Sequence, residues 1–163
     1  MNTIISQLVG EMIDYQAGDP KRIGHLLKVY GFASAIGKKE KVDESLQKTI
    51  EIAAVLHDVG IKLSEEKYHS SAGNYQEIEG PPVAKMMMQR HNLPEALIER
   101  VCFLIANHHT YGSIVALDYQ ILIEADFLVN IYEGSYNKKQ IESIYKKYFK
   151  TETGRHFLET MYL

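Results

Sequence analysis

The sequence predicts an all-α fold, a helical bundle of roughly seven helices. Apolar residues recur at intervals of three and four along almost the whole chain, which is the spacing of one helix face. Start and stop signals, such as Asp19 followed by Pro20 and the later Gly60, divide this pattern into segments. No alternation of apolar and polar residues bounded by hairpin turns stands out.

The first three segments each combine an apolar stripe with a recognisable boundary. The second segment begins with Asp19 as N-cap and Pro20 at the first helical position. The third begins at Asp43, and Gly60 is expected to stop it. The predicted inward residues are Ile4, Ile5, Leu8, Met12 and Ile13 in the first segment, Ile23, Leu26, Leu27 and Tyr30 in the second, and Leu46, Ile50, Ala53, Ala54 and Leu56 in the third.

The middle of the chain contains one stretch without a clear period. Residues 61–76, "IKLSEEKYHSSAGNYQ", predict a long loop, and loops of that length are often functional. A helix is expected to open after it at Pro81 or Pro82. The next helix, "LPEALIERVCFLIANHH", has Pro94 near its start and is strongly apolar.

The last third continues the helical pattern. A helix is expected from Asp118 to a stop at Gly134, and two further helical segments follow within residues 137–162. No repeat or linker divides the chain, and 163 residues can form one domain with a real hydrophobic core. We therefore expect one domain over residues 1–163, with its core motifs in 20–133 and the C-terminal helices packed on it.

Composition and charge narrow the classes of function. The formal charge of −3 provides no basic surface for many phosphates, so nucleic acid is not expected as the main partner. The single cysteine, Cys102, cannot form an internal disulfide, which favours a reducing cytoplasm. The N-terminus lacks the pattern of a secretory signal, and no window approaches the ~20 apolar residues of a membrane span. The sequence leaves open whether Tyr145, Tyr148 and Phe149 pack inward or form a homodimer contact.

The dipeptide His57-Asp58 follows the apolar run 52–56, where an unpaired carboxylate would be costly to bury. Other histidines and one further aspartate, namely His25, His108, His109 and Asp126, also lie in apolar surroundings on separate predicted helices. Imidazole and carboxylate together suit a divalent transition metal, and helix bundles build such sites from inward-facing side chains. From the spacing alone, a metal site is about as well supported as core histidines whose nitrogens are hydrogen-bonded, because no local motif identifies the ligands.

The order of these residues, H…HD…HH…D, resembles the HD-domain superfamily of metal-dependent phosphohydrolases. The resemblance covers residues of about 20 to 133 and includes "KRIGH", "HDVGIK" and "EAD". It implies an all-α bundle with His25, His57, Asp58 and Asp126 as the core metal ligands. The stretch "EKYHSSAGNYQEIEGPP" also resembles a bacterial subgroup of uncharacterised HD proteins, which adds no substrate.

One departure from the family pattern affects the number of ions. Members with two metals usually place another His before the later histidines, where this chain has Gln76, Glu77, Ile78 and Glu79. Either Glu77 or Glu79 replaces that His, since carboxylates serve the same metals, or the second metal site is absent. We expect one ion of Mn, Fe, Co, Zn or Ni, with Mg as a further candidate, and leave a second ion open.

Further residues complete the predicted site. His108 and His109 point about 100° apart on a helix, so we assign His108 to the metal and His109 to the substrate. Lys62 is expected to contact a phosphate and take part in catalysis, with a solvated loop lysine as the alternative. Arg22, one turn before His25, reaches either a phosphate or a carboxylate. Catalytic roles are assigned to Asp58, Lys62, Glu77 and Glu79, although the glutamates could simply favour a helix start.

The resemblance implies hydrolysis of a phosphomonoester or phosphodiester, most naturally a nucleotide, by metal-activated water. The sequence suggests no Ser or Cys nucleophile, and Cys102 reads as a core residue. Two alternatives stay open: a metal- or nucleotide-binding regulatory module without turnover, and a di-iron oxygenase, which would need two ions.

Overall fold

The computed structural model describes residues 3–113 and 116–163, and this part of the chain is helical without a strand. The helices are α1 (Thr3–Tyr15), α2 (Pro20–Lys39), α3 (Glu44–Leu56), α4 (Ile61–Tyr68), α5 (Gly73–Arg90), α6 (Glu95–Asn107), α7 (Leu117–Glu133), α8 (Lys138–Tyr148) and α9 (Glu152–Tyr162). A 3₁₀ turn, Tyr111–Ser113, precedes α7. The all-α prediction is confirmed, with more helices than the seven expected.

Helix α7 lies at the centre of the bundle. Every residue from Asp118 to Val129 is buried, which is the pattern of a helix surrounded by others. Helix α2 packs on both α3 and α7, and α3 also contacts α6 and α7. The C-terminal helix α9 contacts α7 and α2, while Phe149 and Tyr148 pack inward against Phe127. This arrangement brings the N-terminal half of α2, the end of α3 and the C-terminal half of α7 together.

The predicted helix starts are observed where a side chain caps them. Asp19 accepts a hydrogen bond from the Arg22 backbone N at 2.9 Å, with Pro20 in the first turn of α2. Asp43 does the same for the Leu46 backbone N at 2.8 Å and starts α3. Helix α7 ends at Glu133, with Gly134 as its C-cap, as predicted.

The prediction of a long loop over 61–76 is wrong. This region forms α4 and the first turn of α5, which then continues through Pro81 and Pro82 instead of starting there. Helix α4 buries only Ile61 and Ser64, so it leaves little periodic signal in the sequence.

Gly60 has a different role from the stop signal we expected. Helix α3 ends at Leu56, and Gly60 stands at the N-cap of α4 in ordinary right-handed geometry. A Cβ on Gly60 would lie 2.5 Å from the Gly80 backbone N and 2.8 Å from the Gln76 carbonyl oxygen. Glycine is needed at this position because the backbone of α5 passes directly against it.

None of the helices in the described ranges is both long and apolar enough to cross a membrane.

Candidate metal centre

Four side chains from three parts of the bundle converge on one point. His25 comes from the second turn of α2, His57 and Asp58 from the turn after α3, and Asp126 from α7. The Nε2 atom of His25 lies 3.3 Å from both Asp58 Oδ2 and Asp126 Oδ1. The Nε2 atom of His57 lies 3.6 and 3.4 Å from the same two oxygens, and 3.4 Å from the Nε2 atom of His25.

These separations match the space that a divalent cation requires. Bonds of about 2.0–2.2 Å to a four-coordinate ion place its ligand atoms about 3.3–3.6 Å apart. Among the described residues, the buried Asp126 Oδ1 accepts no hydrogen bond of acceptable geometry, although two imidazole nitrogens surround it. A buried carboxylate oxygen without a hydrogen-bond donor is costly unless a cation lies next to it.

The orientation of His57 supports the same interpretation. Its Nδ1 donates to the Ala54 carbonyl oxygen at 2.8 Å, so in the neutral ring the lone pair is on Nε2 and faces the carboxylates. A lone pair directed at two carboxylates is unfavourable unless a positive charge lies between them. The donor set of two imidazoles and two carboxylates therefore fits a divalent transition metal.

The electrostatics of the cluster keep both carboxylates ionised. Burial alone would raise the pKa of Asp58, but His57, His108 and His25 outweigh it and hold that pKa well below its usual range. The same competition between burial and the imidazoles of His25 and His57 lowers the pKa of Asp126. Burial would lower the pKa of His25, yet Asp126 and Asp58 raise it to about 10. The cluster thus attracts a cation, either a proton or a metal.

His108 extends the cluster on the other side of Asp58. Its Nδ1 donates to the Ile105 carbonyl oxygen at 2.7 Å, and its Nε2 lies 3.1 Å from Asp58 Oδ1. The two oxygens of Asp58 therefore face different partners, with Oδ2 toward His25 and His57. Donor atoms of Asp58, His108 and His109 lie within 4.8 Å of one another.

Gln76, one of the four positions where the resemblance places an intermediate histidine, faces this second group. Its amide nitrogen donates to the Ser71 carbonyl oxygen at 2.5 Å, which leaves its Oε1 to accept from the His109 Nε2 at 2.7 Å. Burial and the neighbouring His108 lower the pKa of His109 to about 4, so His109 is neutral near pH 7. The hydrogen bond between Gln76 and His109 therefore fixes the orientation of both side chains.

The expectation that Glu77 or Glu79 replaces the missing ligand is corrected. The Oε1 atom of Glu77 accepts hydrogen bonds from the His109 backbone N and the Thr110 hydroxyl, at 3.1 and 2.9 Å. Glu79 accepts hydrogen bonds from Lys67 and Tyr68 at the end of α4, both at 2.9 Å. Both carboxylates hold neighbouring elements together instead of pointing into the cluster.

A cavity of about 320 Å³ opens onto the candidate ligands. Besides the cluster, its walls include Lys21 and Arg22 from the start of α2, and Asn130 and Glu133 from the end of α7. Arg22 therefore lies where the sequence places it, and it is paired with Asp19 at 3.2 Å and with Glu65 at 3.1 Å.

Lys62 does not line this cavity, so the expected phosphate contact is corrected as well. Its Nζ donates to the Tyr15 carbonyl oxygen at 3.0 Å and lies over the Tyr15 ring. The lysine follows the His57-Asp58 turn in sequence, but its ammonium group binds to the last residue of α1.

Sequence reasoning assigned no site role to six residues that line the cavity: Asp19, Lys21, Ile61, Gln76, Asn130 and Glu133. Two of them had a usable signal, because Asn130 and Glu133 follow Asp126 by one and two helical turns and so share its face. Gln76 is named from the sequence only as one position where an intermediate His would be sought, because an amide does not by itself indicate a site.

Comparisons with known proteins identify the family. The model of the HD domain matches residues 22–145. A predicted HD superfamily hydrolase from an uncultured Thermotogales bacterium has the same fold, with a TM-score of 0.68 and 24% identity. That match covers 98% of this chain and 83% of the other. No curated protein matches the chain. The chain therefore belongs to the HD-domain family, the superfamily of metal-dependent phosphohydrolases that the order of its histidines and aspartates predicts.

Proposed function

We propose that the chain hydrolyses a small phosphomonoester or phosphodiester, such as a nucleotide, with one divalent transition-metal ion as cofactor. The observation that carries this proposal is the buried Asp126 Oδ1, which lies between two imidazoles without a hydrogen bond. Asp126 is one of the residues that line a cavity of about 320 Å³, at the lower end of small-molecule sites of about 300–1,000 Å³.

The chain's own residues would divide the work as follows. His25, His57, Asp58 and Asp126 would hold the cation, which would supply a water of lowered pKa and polarise a phosphoryl oxygen. Asp58 would orient the attacking water beside the ion, and His108 would fix the Asp58 carboxylate through its second oxygen. Arg22 stabilises negative charge on the phosphoryl oxygens, and its pairs with Asp19 and Glu65 hold its guanidinium in place.

The proposal of a single ion rests on the residue at position 76. A second ion would have Asp58, His108 and His109 beside it, and Gln76 adds an amide there instead of an imidazole or carboxylate, while Glu77 and Glu79 bind elsewhere. A di-iron oxygenase needs two ions, so the lack of this ligand argues against that alternative.

The ion count has a direct test by substitution. Gln76→His should raise the bound metal from one to two ions per chain, measured by elemental analysis after gel filtration. Gln89→His, on the exposed side of the same helix, is the matched control and should stay at one. Two ions in the unchanged protein would refute the single-ion proposal.

The hydrolase itself is tested with a panel of nucleotides and small phosphate esters. Chelator-treated protein is resupplied with Mn²⁺, Fe²⁺, Co²⁺, Zn²⁺, Ni²⁺ or Mg²⁺, and release of phosphate or nucleoside is measured. We expect turnover that depends on the metal and falls more than about 100-fold in Asp58→Asn. Asp14→Asn, an exposed position on α1, should retain it. Tight metal binding with no turnover across the panel would favour the regulatory module instead.

A further inference from the structure

Among the three buried imidazoles of the centre, His25 is held differently from the other two. The outer nitrogens of His57 and His108 donate to backbone carbonyl oxygens of their own helices. The Nδ1 atom of His25 instead lies 3.2 Å from the Glu133 Oε2, a side chain on another helix. The orientation of this one ring therefore depends on a carboxylate that a substitution can remove.

Glu133 is itself fixed at both oxygens. Its Oε1 accepts from the Lys28 Nζ at 2.7 Å, and Lys28 lies one turn after His25 on α2. The Glu133 side chain is only 20% exposed, and the Lys28 ammonium also lies over the Tyr132 ring. These contacts form a chain from Lys28 through Glu133 to His25, and from there to the point where Asp58 and Asp126 meet.

The position of Glu133 is unfavourable for the helix that carries it. It is the last residue of α7, where the helix dipole favours a cation and disfavours a carboxylate. The contacts of the Glu133 carboxylate with Lys28 and His25 compensate for that cost. Without them, a cationic side chain would be more favourable at this helix end.

We propose that Glu133 is a positioning residue for the metal centre. By accepting from the His25 Nδ1–H, it fixes the tautomer with the lone pair on Nε2 and raises the affinity of that nitrogen for a divalent cation. Carboxylate–histidine–metal arrangements act in this way, and their loss costs about 10–100-fold in metal affinity. This inference rests on the proposed function, because it assumes that His25 is a ligand.

The test measures metal affinity without any substrate. Zn²⁺ is bound to chelator-treated protein in competition with a chromophoric chelator, for the unchanged chain and for Glu133→Ala and Glu133→Gln. We expect a loss of about 10–100-fold for Glu133→Ala. Glu133→Gln should lose less, because its amide oxygen still accepts from His25 but carries no charge.

A second readout separates positioning from general stability. With Co²⁺ in place of Zn²⁺, the visible absorption bands should change for Glu133→Ala, since they report the geometry around the ion. The matched control is Glu95→Ala, which removes an exposed ion pair with Lys85 at the far end of α6. That variant should keep both the affinity and the spectrum.

The outcomes distinguish this inference from the function it rests on. If the unchanged chain binds no metal, the proposed function fails. If the unchanged chain binds Zn²⁺ and Glu133→Ala binds it equally well with the same Co²⁺ spectrum, only the role of Glu133 is refuted. If Glu133→Ala does not fold, Glu133→Gln decides, and an affinity and spectrum equal to those of the unchanged chain would reject the proposal.

Discussion

His25 has carboxylates on both sides of its ring. Asp58 and Asp126 face its Nε2, and Glu133 faces its Nδ1, all within 3.3 Å. Against the effect of burial, Asp126 and Asp58 raise the pKa of His25 to about 10 in the absence of a metal. The same metal-free cluster raises the pKa of His108, through Asp58.

These raised pKa values predict how the metal-free protein responds to pH. A histidine whose folded-state pKa exceeds its unfolded value of 6.5 stabilises the fold fully below pH 6.5 and loses this contribution as the pH rises toward about 10. The free energy of unfolding of chelator-treated protein should therefore fall from pH 6.5 upward, measured in urea. His25→Gln should flatten this dependence, and an equally steep fall in that variant would contradict the assignment.

A metal should reverse the trend, because the ion and the proton compete for the same nitrogen. Above pH 6.5 the stabilisation by added Zn²⁺ should grow with pH, as fewer protons must be displaced from His25. The measurement is the difference in unfolding free energy with and without the ion. A difference that shrinks over this range would contradict the competition.

The structure brings together the side chains that the sequence proposes as ligands, but the sequence predicts their neighbours poorly. Asp58 and Asp126 were recognisable because a charge within an apolar helix needs compensation wherever the helices pack. Gln76 and Lys62 depend on packing: the first meets His109 from 33 residues away, and the second is captured by Tyr15 from 47 residues away. No local pattern encodes such contacts.

At the scale of elements, the junction of α4 and α5 controls the cavity wall. Gly60 and Gly80 bring the two backbones into close contact, and Gln76 lies one turn before Gly80. The sequence does not predict this junction. Helix α4 has few buried residues, and Pro81 and Pro82 inside α5 resemble the prolines that begin a helix. Helices with a capping aspartate, by contrast, were predicted at their observed starts.

The Gly60–Gly80 contact predicts the effect of adding one methyl group. Gly60→Ala would place its Cβ 2.5 Å from the Gly80 backbone N, so α5 must shift, which should cost about 1–3 kcal/mol of unfolding free energy. The measurement is urea denaturation of metal-free protein. Gly31→Ala is the matched control, because a Cβ there meets nothing within 4 Å, and it should stabilise α2 by up to about 1 kcal/mol. Equal effects of the two substitutions would contradict the close contact.

At the scale of the whole molecule, α7 joins the candidate centre to the C-terminal helices. Asp126 faces the cluster, while the fully buried Glu124, two residues earlier, points to the opposite side. Glu124 accepts from the backbone N atoms of Lys150 and Thr151, at 2.6 and 2.9 Å, and from the Thr151 hydroxyl and the Gln120 amide. One carboxylate thus fastens the start of α9 to the helix that carries Asp126.

Replacing this carboxylate should destabilise the whole fold. Glu124→Leu leaves two backbone N–H groups and a hydroxyl without their acceptor, at about 1–3 kcal/mol each, so we expect a loss of at least about 3 kcal/mol in urea unfolding. Glu124→Gln, which keeps one acceptor oxygen, should lose less. A loss below about 1 kcal/mol for Glu124→Leu would show that α9 is held by other contacts.

The same variant tests whether the two faces of α7 are coupled through the stability of the fold. An ion that binds only the folded state adds about 2.7 kcal/mol at a free concentration of 100 times its dissociation constant. Saturating Zn²⁺ should therefore restore most of the stability lost in Glu124→Leu, although the substitution lies on the opposite face of α7. Because Asp126→Asn removes a charged ligand, the double variant Glu124→Leu/Asp126→Asn should gain little from the ion. An equal gain in both proteins would mean that the ion binds elsewhere.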